Sequence, residues 1–143
     1  VTRRKRIDTL RLLVKGNGLI AGSTKSQTIE GELRRLDAVQ RRRNADGWLL
    51  SVLHTTRVLD TTLAVLIKAK GWPTTKFSLG SYLVELDKRS VLTSREQSSY
   101  QRRIVKKRNK YMHEAGAMPH GLESDRILTD MQECLEQVLR RIG

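Results

Sequence analysis

Residues 46–69, DGWLLSVLHTTRVLDTTLAVLIKA, decide the fold. Trp48, Leu49, Val52, Leu53, Leu59, Leu63, Leu66 and Ile67 recur mostly at helical steps, so at about 100° per residue they form one broad apolar stripe. A stripe that wide needs neighbours on more than one side, which predicts the central helix of a bundle. Asp46 stands where an N-cap is wanted, and Trp72-Pro73 breaks the chain just after the last apolar positions. The continuous apolar runs inside this stretch, 48–53 and 63–67, are far short of the roughly 20 residues a membrane span needs. The expectation is a soluble, cytoplasmic protein with no membrane partner.

The flanks carry the same helical spacing. Upstream, Ile29, Leu33, Leu36 and Val39 predict a helix over about 28–43, with Arg41, Arg42 and Arg43 in its last turn, where cations suit the negative end of the dipole. Residues 2–15 read either as a short basic helix with Ile7, Leu10, Leu13 and Val14 inward or as a mobile arm. Downstream, Ser78 can cap a short helix holding Leu79, Leu83 and Leu86, and Ser94 with Gln97 has capping-box spacing before the next. Ser124 can cap the last helix, where Leu128, Met131, Leu135, Val138 and Ile142 alternate steps of three and four, as in a helix packed lengthwise on another. No convincing strand pair is found. The predicted fold class is all-α, a bundle of five or six helices. Residues 1–45 read as a basic N-terminal helical extension and 46–143 as the bundle, the two expected to form one continuous domain.

Composition narrows the partner. The 143 residues carry 28 Lys and Arg against 15 Asp and Glu, a net charge of +13 with a pI near 10.6, so a polyanion is the first partner to consider. The charge is uneven: +8 over residues 1–45, +2 over 46–94 and +3 over 95–143. One cysteine, Cys134, allows neither an internal disulfide nor a cysteine-built zinc site. No carboxylate set has the spacing of a metal-dependent nuclease, no glycine-rich phosphate loop is present, and no Ser/His/Asp signature is seen. No cofactor or metal is expected.

The helix predicted over about 95–114 breaks its own pattern. With Ile104 placed at 0° and about 100° per residue, Arg103, Lys106, Lys107 and Lys110 form an exposed basic ridge, while Ile104, Val105 and Met112 mark the buried side. Arg108 falls at about 40°, inside the buried sector. A guanidinium there requires a counter-charge such as Asp60, a hydrogen-bonded pocket, or an opening to a cleft that binds an anion. Asn109 and His113 lie on the border of the two faces. His113 can give and take protons near neutrality, Arg108 offers a planar fork of donors for phosphate oxygens, and either could instead serve only structure.

The run Arg108-Asn109-Lys110-Tyr111-Met112-His113 resembles the Arg, polar residue, three residues, His motif of the HEPN superfamily. The preceding helix with His54, Arg57 and Asp60, the short helix beginning SLGSYL and the final amphipathic helix are similar to that superfamily's bundle over about residues 46–143. The resemblance implies a metal-independent endoribonuclease that works as a homodimer, its two motifs facing each other across a composite cleft, and a toxin or defence effector neutralised by an antitoxin or other protein partner. It implies His113 as general acid or base, Arg108 on the phosphorane oxygens and Asn109 orienting the phosphate or the imidazole. RNA brings its own nucleophile, the 2′-hydroxyl, so the products would be a 2′,3′-cyclic phosphate or 3′-phosphate and a 5′-hydroxyl.

Around this motif, Arg102, Arg103, Lys106, Lys107 and Lys110 are the expected RNA contacts, with Arg102 on the same edge as Asn109. Tyr111 is expected in the core or at the interface, where its ring could stack on a base. Asp60 supports Arg108, His54 is expected as a satisfied core histidine, and His120 and Glu123 belong to a surface loop. In one ideal helix Arg108 and His113 point about 140° apart, so they meet on one phosphate only if Arg108 wraps round, the helix end loosens near Gly116, or a second subunit completes the site. The position two residues after the histidine, often a tyrosine that is nucleotidylated in HEPN toxins, is Ala115. The competing reading is a non-catalytic basic helical module that binds RNA or DNA, or a regulatory subunit of a larger defence complex.

Overall fold

The computed structural model describes residues 2–74 and 76–143, and among them every regular element is helical. In chain order these are α1 (Arg3–Gly16), α2 (Gly18–Ala21), α3 (Ser26–Gln40), α4 (Ala45–Ala69), α5 (Leu79–Lys88), α6 (Ser94–Tyr100), a π-helical segment (Gln101–Val105), α7 (Lys106–His113) and α8 (Gly121–Arg141). The last four of these make two rods, because α6, the π segment and α7 run on without a break. Seven helical rods therefore stand where five or six were expected.

α4 is the central helix. Val52, Val58, Leu59, Leu63 and Leu66 are buried along it, α3 and α8 pack along its flanks, and α5 and α7 also lie against it. Its length and apolar content alone would suffice for a membrane span, more than the two short runs suggested, yet most of its surface is covered by the other helices. α1 is a packed helix and not an arm: Ile7, Leu10 and Val14 enter the same core as Leu33 and Leu36 of α3 and Leu128, Leu135 and Val138 of α8. Cys134 is fully buried in that core.

The helix ends shift by a few residues from the sequence reading, each for a local reason. Asn44, not Asp46, caps α4 by accepting the Gly47 N–H at 2.9 Å, and Asp46 sits in the first turn, where its charge suits the dipole. The capping box of α6 is Thr93 with Glu96, one residue before the Ser94 and Gln97 spacing. Ser78 does cap α5. α8 starts at Gly121, ahead of Ser124, whose hydroxyl turns inward and donates to the Trp48 carbonyl at 3.3 Å. α3 ends at Gln40, so Arg41, Arg42 and Arg43 lie beyond it. Arg43 crosses to α8, pairing with Asp125 at 3.1 Å over the Trp48 ring. That turn is tight enough that a Cβ on Gly47 would overlap the Arg42 carbonyl.

Candidate functional site

The π segment sets the geometry of the motif. The Lys106 N–H bonds to the Gln101 carbonyl, five residues back, so α7 is rotated relative to α6 and a single ideal wheel does not describe both. From the π segment into α7 the inward face is Ile104, Lys107, Arg108 and Tyr111, residues at helical spacing that are buried or half-buried. Met112, expected inside, is 43% exposed, because the inward direction centres on Tyr111.

Arg108 is half-buried, on the helix that packs against α4. Its hydrogen bond among the described residues runs from Nη1 to Asn109 Oδ1 at 3.4 Å, the motif's own neighbour. Asp60 on α4 feels it: burial pushes the Asp60 carboxyl up, and the Arg108 charge partly offsets the rise. The two form no ion pair of hydrogen-bond length. The phenol of Tyr82, on α5, is also pushed up, first by burial and then by the Asp60 carboxylate. Asp60 and Tyr82 both line a cavity of about 660 Å³, with Lys25, Thr28, Thr61 and Lys68.

The motif histidine does not converge with Arg108 in one chain. Asn109, Lys110 and His113 are exposed, and His113 ends α7. Glu114 closes the helix by bonding its N–H to the Lys110 carbonyl at 3.0 Å, and Gly116 follows with a positive φ of 78°. His113 thus stands in solvent at the tip of the rod, while Arg108 sits one and a half turns back on another face.

The expected basic ridge is divided. Arg102, Lys106 and Lys110 are exposed, Lys110 also lying over the Tyr111 ring at 5.7 Å. Arg103 and Lys107 are not a free ridge. Arg103 donates to Asp130 of α8 at 2.8 Å, approaches Glu133 at 3.6 Å and donates to Ser99 at 2.8 Å. Asp130 is only 6% exposed, and burial raises its carboxyl pKa against the lowering by Arg103. Lys107 pairs with Glu123 at 2.9 Å, and the Tyr111 hydroxyl donates to the same carboxylate. Burial pushes the Glu123 carboxyl up, but the phenol and the ammonium outweigh it and the net shift is downward. The Tyr111 phenol is driven up by burial and by Glu123, and its ring packs with Val52 and Ile127, so no face is offered to a base. Glu123 is an anchor for α7 on α8 and not a loop residue, while His120 leans on Trp48 with ring centroids 6.5 Å apart.

Sequence reasoning underrated one cluster. Glu32 on α3, 5% exposed, accepts from His54 Nδ1 at 2.9 Å and from Arg35 at 3.2 Å, with Arg57 at 3.6 Å. His54 is satisfied, as expected of a core histidine, but by a buried carboxylate that holds one ring nitrogen and gathers two arginines beside it. The only prior signal was the placement of Glu32 next to the inward residue Leu33.

Comparison of the chain with family models, with curated proteins and with solved structures gives no match. Chemically, then, the site offers an inward guanidinium not saturated by a carboxylate, an adjoining amide, a solvent-facing imidazole at the rod's tip and three exposed cations along it. That set can bind and polarise a phosphodiester and can exchange protons with it.

Proposed function

We propose that this protein is a metal-independent endoribonuclease of HEPN type, a toxin or defence effector that acts as a homodimer and is held in check by a protein partner. The observation that carries the reading is Arg108. Its neighbours Arg103 and Lys107 are spent on Asp130 and Glu123, whereas Arg108, half-buried on α7 with its charge acting on Asp60 of α4, keeps donors for another acceptor. Holding that charge partly away from water is costly unless an anion completes its shell. Phosphate oxygens gathering charge in the transition state fit this fork.

In this reading Arg108 stabilises the phosphorane, Asn109 keeps the guanidinium aimed, and His113 moves the proton. The 2′-oxygen attacks phosphorus as its proton leaves to a base, and the 5′-oxygen departs as a proton is returned, giving a 2′,3′-cyclic phosphate and a 5′-hydroxyl. Because Arg108 and His113 face different ways, the scissile phosphate takes Arg108 from one protomer and His113 from its partner. Met112, 43% exposed beside His113, and Met118, equally exposed in the following loop, supply apolar surface for such a contact.

The test is incubation of the purified protein with RNA in EDTA. Cleavage with a cyclic phosphate end is expected, falling about 10²–10⁴-fold in His113→Ala. Cleavage unaltered in His113→Ala removes the histidine from the mechanism. The exposure of His113 in a single chain favours one alternative, a non-catalytic module gripping RNA or DNA, and binding without cleavage would establish it.

A further inference from the structure

We propose a second phosphate-binding site, separate from Arg108 and His113, in the cleft between α1, the end of α3 and the start of α8, where the phosphodiester backbone of RNA would lie. This deepens the ribonuclease reading and rests on its RNA partner, not on its chemistry.

The cleft has a volume of about 720 Å³ and is lined by five arginines: Arg3, Arg4 and Arg6 from α1, Arg41 just past α3, and Arg126 from α8. Arg3 and Arg126 stand at opposite ends of the chain, so their convergence is a product of the fold. Asp37 and Asp125 are the acidic groups on its wall, and both are already engaged. Asp125 holds Arg43 at 3.1 Å and Arg3 at 3.5 Å, and Asp37 holds Arg41 at 3.5 Å. Arg6 donates to Gln132 at 3.2 Å, a neutral acceptor. Arg4 and Arg126 are exposed and form no ion pair among the described residues.

Like charges lined up around a concavity repel, and low-dielectric walls focus their field, so the cleft is a sink for anions. Arginine is the residue suited to phosphate, with a planar fork of donors that stays charged at any relevant pH. The existing pairs to Asp125 and Asp37 fix the direction of Arg3 and Arg41 without cancelling the excess. The cavity is much larger than one phosphate. Leu122, 76% exposed on its rim, adds an apolar edge against which a base can rest. A run of phosphodiesters fits this arrangement better than a single small anion. None of the lining residues belongs to the motif on α7, so the cleft would extend the grip on a long strand beyond the scissile bond.

The experiment uses the full chain and a non-cleavable 2′-O-methyl oligoribonucleotide, followed by fluorescence anisotropy over a range of salt. For Arg4→Glu with Arg126→Glu, affinity is expected to fall at least about tenfold, and the slope of log K against log salt to shrink by about 1.4, two phosphates' worth for a single strand. Lys70→Glu with Lys88→Glu, the same charge change elsewhere, is expected to move affinity far less. Arg4→Ala with Arg126→Ala should fall between, and thermal melting checks that all variants are folded. Competition by inorganic phosphate only at concentrations that act through ionic strength is expected; displacement of the strand by stoichiometric phosphate would assign the cleft to a small anion and overturn the proposal. So would binding unchanged in the Arg4/Arg126 variant, or weakened equally by the Lys70/Lys88 pair. Dinucleotide cleavage should be unaltered by the Arg4/Arg126 change while KM for long RNA rises. A wild type that binds the oligonucleotide and cleaves nothing would sink the nuclease and leave the cleft standing, whereas a wild type that does not bind it overturns both.

Discussion

Arg103 and Arg108 are five positions apart on one rod and differ in what they meet. Arg103 ends on a carboxylate that is nearly inaccessible to water, so its removal leaves Asp130 buried without its charged donor. Arg103→Ala is expected to lower stability by about 1–3 kcal/mol in denaturant titration. Lys106→Ala and Lys110→Ala, at exposed positions, should leave that stability within about 0.5 kcal/mol and instead reduce RNA affinity and its salt slope. An Arg103→Ala variant as stable as wild type would return Arg103 to the list of RNA contacts. Gly47 is the other residue at which a small change has a large expected effect. A methyl group there collides with the Arg42 carbonyl, so Gly47→Ala should cost about 1–3 kcal/mol, read as a drop in melting temperature.

At the scale of elements, the α6–π–α7 rod is held at two seats. Tyr100 is buried in the main core and Tyr111 in the small cluster with Val52 and Ile127. The π turn between them accommodates both. Deleting exposed Arg102 would restore an unbroken α-helix, and because the π turn absorbs one extra residue, Tyr100 and Tyr111 would both keep their faces. Stability within about 1 kcal/mol of wild type is expected, and a loss of about 3–5 kcal/mol, as for removal of a buried aromatic, would contradict this account. The start of α6 is tied to α8 by Arg141 on Glu96 at 2.7 Å, and that hydrogen bond, with the Thr93 cap, holds the Glu96 carboxyl at about 2. A carboxyl lowered on folding stabilises the fold above its unfolded pKa of about 4.3 and loses that contribution as pH falls toward 2. The melting temperature of Glu96→Gln should therefore lie below wild type at pH 7, with the gap closing through that acid window. A gap that persists at pH 2 would mean that Glu96 acts by some other route.

At the scale of the molecule, the net charge and the proposed composite cleft make two separable expectations. RNA affinity should fall steeply with salt, since each phosphate contact releases counterions. Sedimentation should show a dimer, and Met112→Glu with Met118→Glu should keep the helical content seen by circular dichroism while abolishing both dimer and cleavage. A monomer that cleaves RNA at full rate would remove the composite site. The helical class, the central role of residues 46–69 and the inward turn of Arg108 were legible in the sequence, because they follow from spacing alone. Helix starts were less legible: Asn44, Thr93 and His120 are all caps or cap positions within four residues of the expected ones, where several polar residues compete and the backbone conformation decides. The fates of individual cations were not legible. A wheel places Arg103 and Lys107 on an outer face, but it does not contain α8, whose Asp130 and Glu123 claim them. Nor does it contain the π turn that moves Met112 outward. The Glu32–His54–Arg57 cluster joins neighbouring helices and the five-arginine cleft joins helices from the two ends of the chain, and Coulomb attraction acts through space and not along the sequence. Local periodicity, which needs only hydrophobicity and backbone geometry, determined the helices, and composition determined the net charge; which charges are neutralised and which stay free to meet a phosphate was decided by the packing of one helix against another.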